Sequence, residues 1–447
     1  MLFVNPQWGA GTPSYVRMGD PRGKFRWVDT MMPAASIRFL AENYPGTECL
    51  EYPTWEEYTS RVRAGVDVVA VSFYTYQMAE AARMVAFARE QGVREVWGGG
   101  WGIETPGARA LFDRSFAGYG EEPLLPILGD RRGGEGWRHP VLLGEARFLG
   151  LRSKVGYLYS IRGCKYKCEY CPTPAFIPNR RILPLAEIER VLDIYARERV
   201  GCVIIWDETF LSDREYSWRI VEMLKERGLL WFCLTSSAEL VGNVSRLRDS
   251  GFIGCLIGIE SLRDTTLREY RRGRFTNLNL RAIHEMHDNS CWLVASYLLC
   301  HDLDTPKSMR ADVEKLASLE LQGVNPCILT PYAPTPLYER YRSRIVDWDW
   351  RHWDDGHLVW KHPNVGAEEA REILLDCIYA CSGRSRNYAF MAQEALGRLI
   401  PFKIRAGHFH PARFADATRR SLSRRPSAPV PAWPAPVATP EPREAGA

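Results

Sequence analysis

Gly163-Cys164-Lys165-Tyr166-Lys167-Cys168-Glu169-Tyr170-Cys171-Pro172 gathers three cysteines at CxxxCxxC spacing in one short loop and supplies no fourth ligand of the same kind. Thiolates are soft donors that select zinc or iron–sulfur clusters, and a structural zinc site closes with four nitrogen or sulfur ligands. Three cysteines leave one corner open. A cubane [4Fe-4S] cluster held by Cys164, Cys168 and Cys171 keeps one iron available to a small molecule, whereas electron-transfer ferredoxins close their clusters with four cysteines.

The chain around the loop alternates strand and helix patterns. Upstream, short apolar runs at 2–4, 48–51, 67–73, 94–97 and 115–117 are separated by helical patterns, and five such units predict an α/β, doubly wound parallel sheet over residues 1–135. Glycine-rich turns follow the fourth and fifth runs, Gly98-Gly-Gly-Trp-Gly102 and Gly118-Tyr-Gly-Glu-Glu122. They fall at the carboxyl edge where such sheets bind ligands, and the first would admit a phosphate or nucleotide tail against the backbone. Residues 131–150 read as a linker. Downstream, strands are expected at 156–161, 202–206, 231–235, 254–259, 292–299 and 325–330, each but the last followed by a helical pattern. One of those helices, from Leu185, places Ile188, Val191, Leu192 and Tyr195 on one face. The cysteine loop comes directly after the first of these six strands.

Bulk composition narrows the class. The chain has 447 residues, 46% hydrophobic and 12% aromatic, enough for two or three buried cores. A formal charge of +4 does not call for nucleic acid. No basic-then-apolar leader follows Met1 and no apolar run reaches the roughly 18 residues of a membrane span, so a cytoplasmic protein with no membrane partner is expected. The other nine of the twelve cysteines sit mostly singly in apolar segments, as reduced thiols do. Residues 341–410 form a Trp-rich stretch and helices, expected to cap the barrel. From 419 to 447 proline and alanine dominate, a composition that cannot bury a core.

The cysteine loop, with Tyr170 before its third cysteine and the run-in Ser160-Ile-Arg-Gly163, resembles the signature of the radical S-adenosylmethionine (SAM) superfamily. The resemblance implies a flavodoxin-like, cobalamin-binding-like N-terminal sheet, a partial (β/α)6 barrel over 150–340 and a C-terminal helical cap. It also implies SAM bound at the open iron and cleaved reductively to a deoxyadenosyl radical that abstracts a substrate hydrogen. Trp206-Asp207-Glu208-Thr209-Phe210 looks like the segment that meets the SAM amino group in the branch with an N-terminal cobalamin-binding domain; a turn or N-cap acid is the alternative for Asp207. Thr235-Ser236-Ser237 stands where many relatives carry an arginine for the SAM carboxylate, and hydroxyls cannot replace a guanidinium's charge. Glu260 and Ser261 are similar to the Glu-Ser element that contacts the adenosine. Thr330-Pro-Tyr-Ala-Pro-Thr-Pro336 resembles a proline turn of the same branch, with Ala333 and Pro334 departing from it.

Two activities fit that resemblance. One is dehydration of a 1,2-diol on an aminoglycoside such as paromamine in antibiotic biosynthesis; the alternative is cobalamin-dependent C-methylation of a natural-product intermediate. For the first, Asp347, Asp349, Asp354 and Asp355 interleaved with Trp348, Trp350 and Trp353 suit a cationic aminosugar, although a solvated acidic turn anchored on aromatic core residues fits the same pattern. Glu208, Tyr216, His301 and Asp302 are candidate acids or bases. Either activity calls for an electron donor such as flavodoxin or ferredoxin, and dehydration also for an NAD(P)H-dependent reductase acting on the product. Whether cobalamin binds is left open: all nine histidines lie at position 139 or later, so the N-terminal sheet has no imidazole for cobalt, and Ser72-Phe-Tyr-Thr-Tyr-Gln77 places three aromatics where the corrin would rest.

Overall fold

The computed structural model describes residues 1–6, 14–19, 26–130, 136–148, 151–271 and 276–382. The predicted tail and residues 383–410 of the expected cap lie outside them.

Leu2–Val4, Glu48–Leu50, Val68–Ser72, Glu95–Gly99 and Arg114–Ser115 form an all-parallel sheet. Numbered along the chain, these five strands lie in the spatial order 2-1-3-4-5. That is the flavodoxin-like order, whose ligand crevice opens between strands 1 and 3. Val69, Val71 and Val96 are fully buried because helices cover both faces. The helix Trp55–Arg63 starts on a capping box, with the Glu57 N–H donating to Thr54 Oγ1 at 3.2 Å and the Thr54 N–H donating to Glu57 Oε2 at 2.7 Å.

Among the described residues the second sheet has nine strands. Six are parallel and neighbour one another in chain order: Leu151–Leu158, Cys202–Ile205, Trp231–Thr235, Phe252–Glu260, Trp292–Leu299 and Gly323–Ile328, called here the first to sixth barrel strands. The helix Leu185–Arg197 packs the expected Ile188, Val191, Leu192 and Tyr195 into the core. Pro306–Ser318 begins on Thr305, whose Oγ1 accepts from the Ser308 N–H at 3.1 Å, with proline at the first helical position.

The remaining three strands were not expected. Leu143–Phe148 pairs antiparallel with the first barrel strand, so the presumed linker 131–150 carries a strand. Arg26–Met31 and Ser14–Gly19 continue the sheet outward, again antiparallel. Residues from the N-terminal segment therefore complete the barrel sheet as well as their own. The alternating runs Ser14–Gly19 and Arg26–Met31 flank Asp20-Pro-Arg-Gly23, a turn composition that would have disclosed the hairpin.

Beyond the sixth strand, the helix Ala367–Ser382 packs against Pro306–Ser318 and that strand, while the turn Trp350–His352 lies against Thr75–Gln77 of the N-terminal half. The Trp-rich segment thus bridges the two halves. Trp353 is buried with its indole N–H on the Asp347 carbonyl at 3.1 Å. Among the described residues no helix is long and apolar enough to cross a membrane.

Candidate active site

The cysteine loop leaves the first barrel strand through Gly163, whose φ of 91° and close neighbours, Ile177 Cγ2 at 3.1 Å from where a Cβ would stand, suit glycine alone. Its N–H donates to Glu208 Oε2 at 3.0 Å. Cys164 Sγ lies 3.5 Å from Thr209 Oγ1, and the Cys171 N–H donates to the Cys168 carbonyl at 3.2 Å. Glu169 ties the loop down: its N–H donates to the Tyr270 carbonyl at 3.3 Å, its carbonyl accepts from Leu337 at 3.2 Å, and its carboxylate meets Arg340 at 3.3 Å. Tyr170 packs near Tyr270, ring centres 6.5 Å apart. Three barrel elements thereby fix one loop.

Burial, with the Cys168 and Cys164 thiols close by, pushes Cys171 up to about 12, so a metal must displace its proton. Among the described residues no three His, Cys, Asp or Glu side chains converge on a single ion. A structural zinc site closes with four ligands, whereas a cubane takes one thiolate at each of three separate irons, and this loop supplies three cysteines.

The carboxyl ends of the next strands face the loop. Asp207 is fully buried and accepts from the Ser160 N–H at 2.6 Å and the Ser160 hydroxyl at 2.5 Å. It therefore joins the first strand to the second, while the N-cap of the following helix is Asp213, which accepts from the Tyr216 N–H. Burial lifts Asp207 to about 8, opposed by the Ser160 hydrogen bonds. Burial also raises Glu208, whose carboxylate takes bonds from Gly163 and Tyr119. At the end of the third strand, Thr235 Oγ1 and Ser236 Oγ are buried with no hydrogen-bond partner among the described residues. Ser237 differs: its hydroxyl donates to Asn279 Oδ1 at 2.7 Å. At the end of the fourth strand the register slips between Gly258 and Glu260, and Glu260 takes a φ of 64°. A bulge at a barrel rim re-aims a side chain, and a non-glycine residue holds this conformation only where its surroundings enforce it. Ser261 Oγ accepts from the Arg263 N–H at 3.2 Å.

Glu208, alone of these groups, lines a cavity of about 710 Å³, within the usual range for organic ligands. Its barrel wall includes Arg162, Phe176, Trp206, Glu208 and Tyr332, and Trp101 stacks on Phe176 at 4.4 Å. The opposite wall is the carboxyl edge of the N-terminal sheet at its topological switch point. From there the cavity descends as an apolar slot beside the sheet, lined by Phe3, Ile37, Leu40, Ala70, Trp97 and Leu124. In the glycine run, Gly98, Gly99 and Gly100 line the cavity, and two of the run's glycines also make room for neighbouring rings. A Cβ on Gly102 would stand 2.4 Å from the Phe73 ring, and one on Gly98 2.4 Å from the Phe112 ring, so those glycines admit the protein's own aromatics.

Three candidate acid–base residues stand outside the cavity lining. Tyr216 donates its hydroxyl to the Leu183 carbonyl at 2.7 Å. His301 Nδ1 lies 3.5 Å from Asp304 Oδ2. Asp302 joins Tyr341 and, at 2.6 Å, Arg344; these partners outweigh its burial and hold it below the usual carboxylate range. The acids of the Trp-rich segment divide. Asp347 pairs with His352 at 2.7 Å and Asp349 with Arg351, both within their own turn, whereas Asp354 and Asp355 line the cavity. Burial lifts Asp355 to about 6, and Tyr332 donates to it at 2.9 Å. Sequence reasoning passed over Tyr119, Glu121 and Arg162, which meet in the cavity wall; the one signal was a charged residue next to a glycine in each of two turns, Glu121 after Gly120 and Arg162 before Gly163.

Residues 158–316 match the model of the radical SAM superfamily, so the chain carries a radical SAM domain. Two curated relatives from Chlorobaculum tepidum match at 24% identity, bacteriochlorophyllide d C-12(1)-methyltransferase over 49% of this chain and bacteriochlorophyllide d C-8(2)-methyltransferase over 46%. Each match spans 49% of the relative, about half its length. The fold is that of the radical SAM methyltransferase TsrM from Kitasatospora setae, solved with cobalamin and a [4Fe-4S] cluster: TM-score 0.64 at 13% identity, over 94% of this chain and 98% of that one. The cobalamin-dependent SAM radical enzyme OxsB gives 0.59 at 12% identity, over 94% of this chain and 70% of that one.

Proposed function

We propose that this chain, built on a radical SAM domain, is a cobalamin-dependent methyltransferase that moves a methyl group from SAM to a carbon of a small organic molecule. One observation carries the reading: the cavity at the barrel mouth continues into the apolar slot at the switch point of the N-terminal sheet. Cleaving SAM beside a sugar needs only the mouth. Cobalamin has a broad planar head and a long nucleotide tail, and uses both. The methyltransferase relatives agree with this reading.

When loaded, the cluster supplies an electron and an open iron for SAM, and cobalamin a carrier for the methyl group. The chain's own residues do the rest. Cys164, Cys168 and Cys171 hold the cluster, and Glu208 fixes the loop through the Gly163 N–H. Thr235 and Ser236 offer buried hydroxyls to the polar end of SAM, and Glu260 and Ser261 stand at the next strand end for the adenosine. Asp207 acts at one remove by holding Ser160. Trp101, Phe176 and Trp206 keep water from the mouth, which prevents quenching of reactive species. A flavodoxin- or ferredoxin-type donor reduces the cluster.

A second reading, dehydration of an aminosugar diol, is favoured by Asp354 and Asp355 in the cavity wall: carboxylates suit an ammonium group, and an acid lifted to about 6 can return a proton to a departing hydroxyl. Anaerobic reconstitution with SAM, a reductant and hydroxocobalamin separates the two. Corrinoid absorbance that stays with the protein, and a product heavier by a methyl group, support methyl transfer. Deoxyadenosine released with loss of water from an aminosugar, without corrinoid, transfers the assignment to dehydration. Absence of any SAM cleavage sinks both.

A further inference from the structure

Glu121 opens the helix Glu121–Leu128 in the wall of the cavity and is 1% exposed. Its two carboxylate oxygens have different surroundings. Oε1 takes a charge-assisted hydrogen bond from the Arg162 guanidinium. Oε2 is buried with no hydrogen-bond partner among the described residues. An ionised oxygen in that condition is strongly unfavourable, so the position calls for a donor. Arg162 serves one oxygen, and its guanidinium lies over the rings of Tyr119 at 3.5 Å and Phe39 at 4.3 Å. The other ionisable carboxyl groups of the lining, Glu208, Asp354 and Asp355, are acceptors when ionised. Nothing among the described residues donates to this oxygen, which leaves it open to a donor carried by the ligand.

We infer that Glu121 is a ligand-binding residue of the cavity, its Oε2 accepting a hydrogen bond from an N–H group of the occupant. The inference rests on the cobalamin reading, under which the donor is one of the carboxamides on the corrin rim. A neutral amide suits the site: Arg162 already balances the Glu121 charge, so a donor is needed and a second cation is not. Arg162 also fixes which oxygen faces the ligand, and it immediately precedes Gly163 of the cysteine loop.

The test is equilibrium binding of hydroxocobalamin to the reconstituted full-length protein, read as visible absorbance retained with the protein, with iron and sulfide per chain measured in parallel. In Glu121→Gln, Arg162 keeps the amide oxygen and the NH2 turns toward the ligand, setting donor against donor. The corrinoid Kd should rise about tenfold or more while iron content holds. Glu121→Leu, with no acceptor, should weaken binding in the same direction. Unchanged affinity in both variants overturns the inference and leaves the cobalamin reading standing. A wild-type protein that binds no corrinoid overturns both. If either single variant fails to take up the cluster, Glu121→Leu combined with Arg162→Met removes both charges and carries the same comparison.

Discussion

Two parallel sheets point their carboxyl edges at one cavity, and the edges carry opposite chemistry. The barrel strand ends carry thiols, carboxylates and hydroxyls, Cys164, Asp207, Glu208, Ser236 and Glu260, of which Glu208 lines the cavity itself. The N-terminal edge presents rings and glycines, among them Phe73, Tyr74, Tyr76 and Gly98 to Gly100. Both edges stand where parallel sheets place ligands. An edge of polar groups orients reacting atoms one by one, whereas an edge of rings holds a ligand by area. Glu121 and Arg162 join the two edges.

The comparison breaks most completely at the cysteines. Replacing Cys164, Cys168 or Cys171 by alanine should remove the cluster and abolish deoxyadenosine release while far-ultraviolet circular dichroism stays native; a variant that keeps full iron and sulfide would show that the loop is not the ligand set. Next comes the buried acid of the same edge. Asp207 holds its proton to about 8 when folded, while an unfolded aspartate releases it near ~4. Between those values the folded state binds a proton that the unfolded state has lost, so this group lowers stability as pH rises, by at most ~1.4 kcal/mol per pH unit. Denaturant midpoints of the cluster-free protein should show wild type losing ground to Asp207→Asn across that window and no further above it. A constant difference would refute the linkage.

The N-terminal edge answers to packing. Gly102→Ala puts a methyl group against the Phe73 ring and should cost about 1–3 kcal/mol in an unfolding titration, with iron per folded chain unchanged. The smallest effect sharpens the contrast. Ser236→Ala and Thr235→Val remove hydroxyls that have no partner among the described residues, so the cluster-free chain should be as stable as before or slightly more so, while KM for SAM rises about tenfold. Lost stability without a change in KM would make those hydroxyls structural.

Contiguous features were legible in the chain. The cysteine loop needs ten consecutive residues, and inner strands such as Leu2–Val4 and Val68–Ser72 are largely buried, so they read as apolar runs. The antiparallel strands at 14–19, 26–31 and 143–148 were missed because antiparallel strands alternate and depend on their partners more than on their own composition. Tyr216 and Asp302 were plausible acids or bases by type, yet their hydroxyl and carboxylate are engaged by Leu183 and Arg344, which no local pattern records. Asp349 and Asp355 lie in one acidic stretch, and folding pairs the first with Arg351 while placing the second in the cavity wall.

By itself the sequence determined the soft three-donor set and the repeating strand–helix period, since thiolate chemistry and backbone periodicity are local properties. Only the tertiary structure decided that the two sheet edges share one cavity, that Asp207 holds Ser160, and that one Glu121 oxygen has no partner among the described residues. Those outcomes depend on burial and on partners distant in the chain, and solvation energies take their values only when the chain has closed around them.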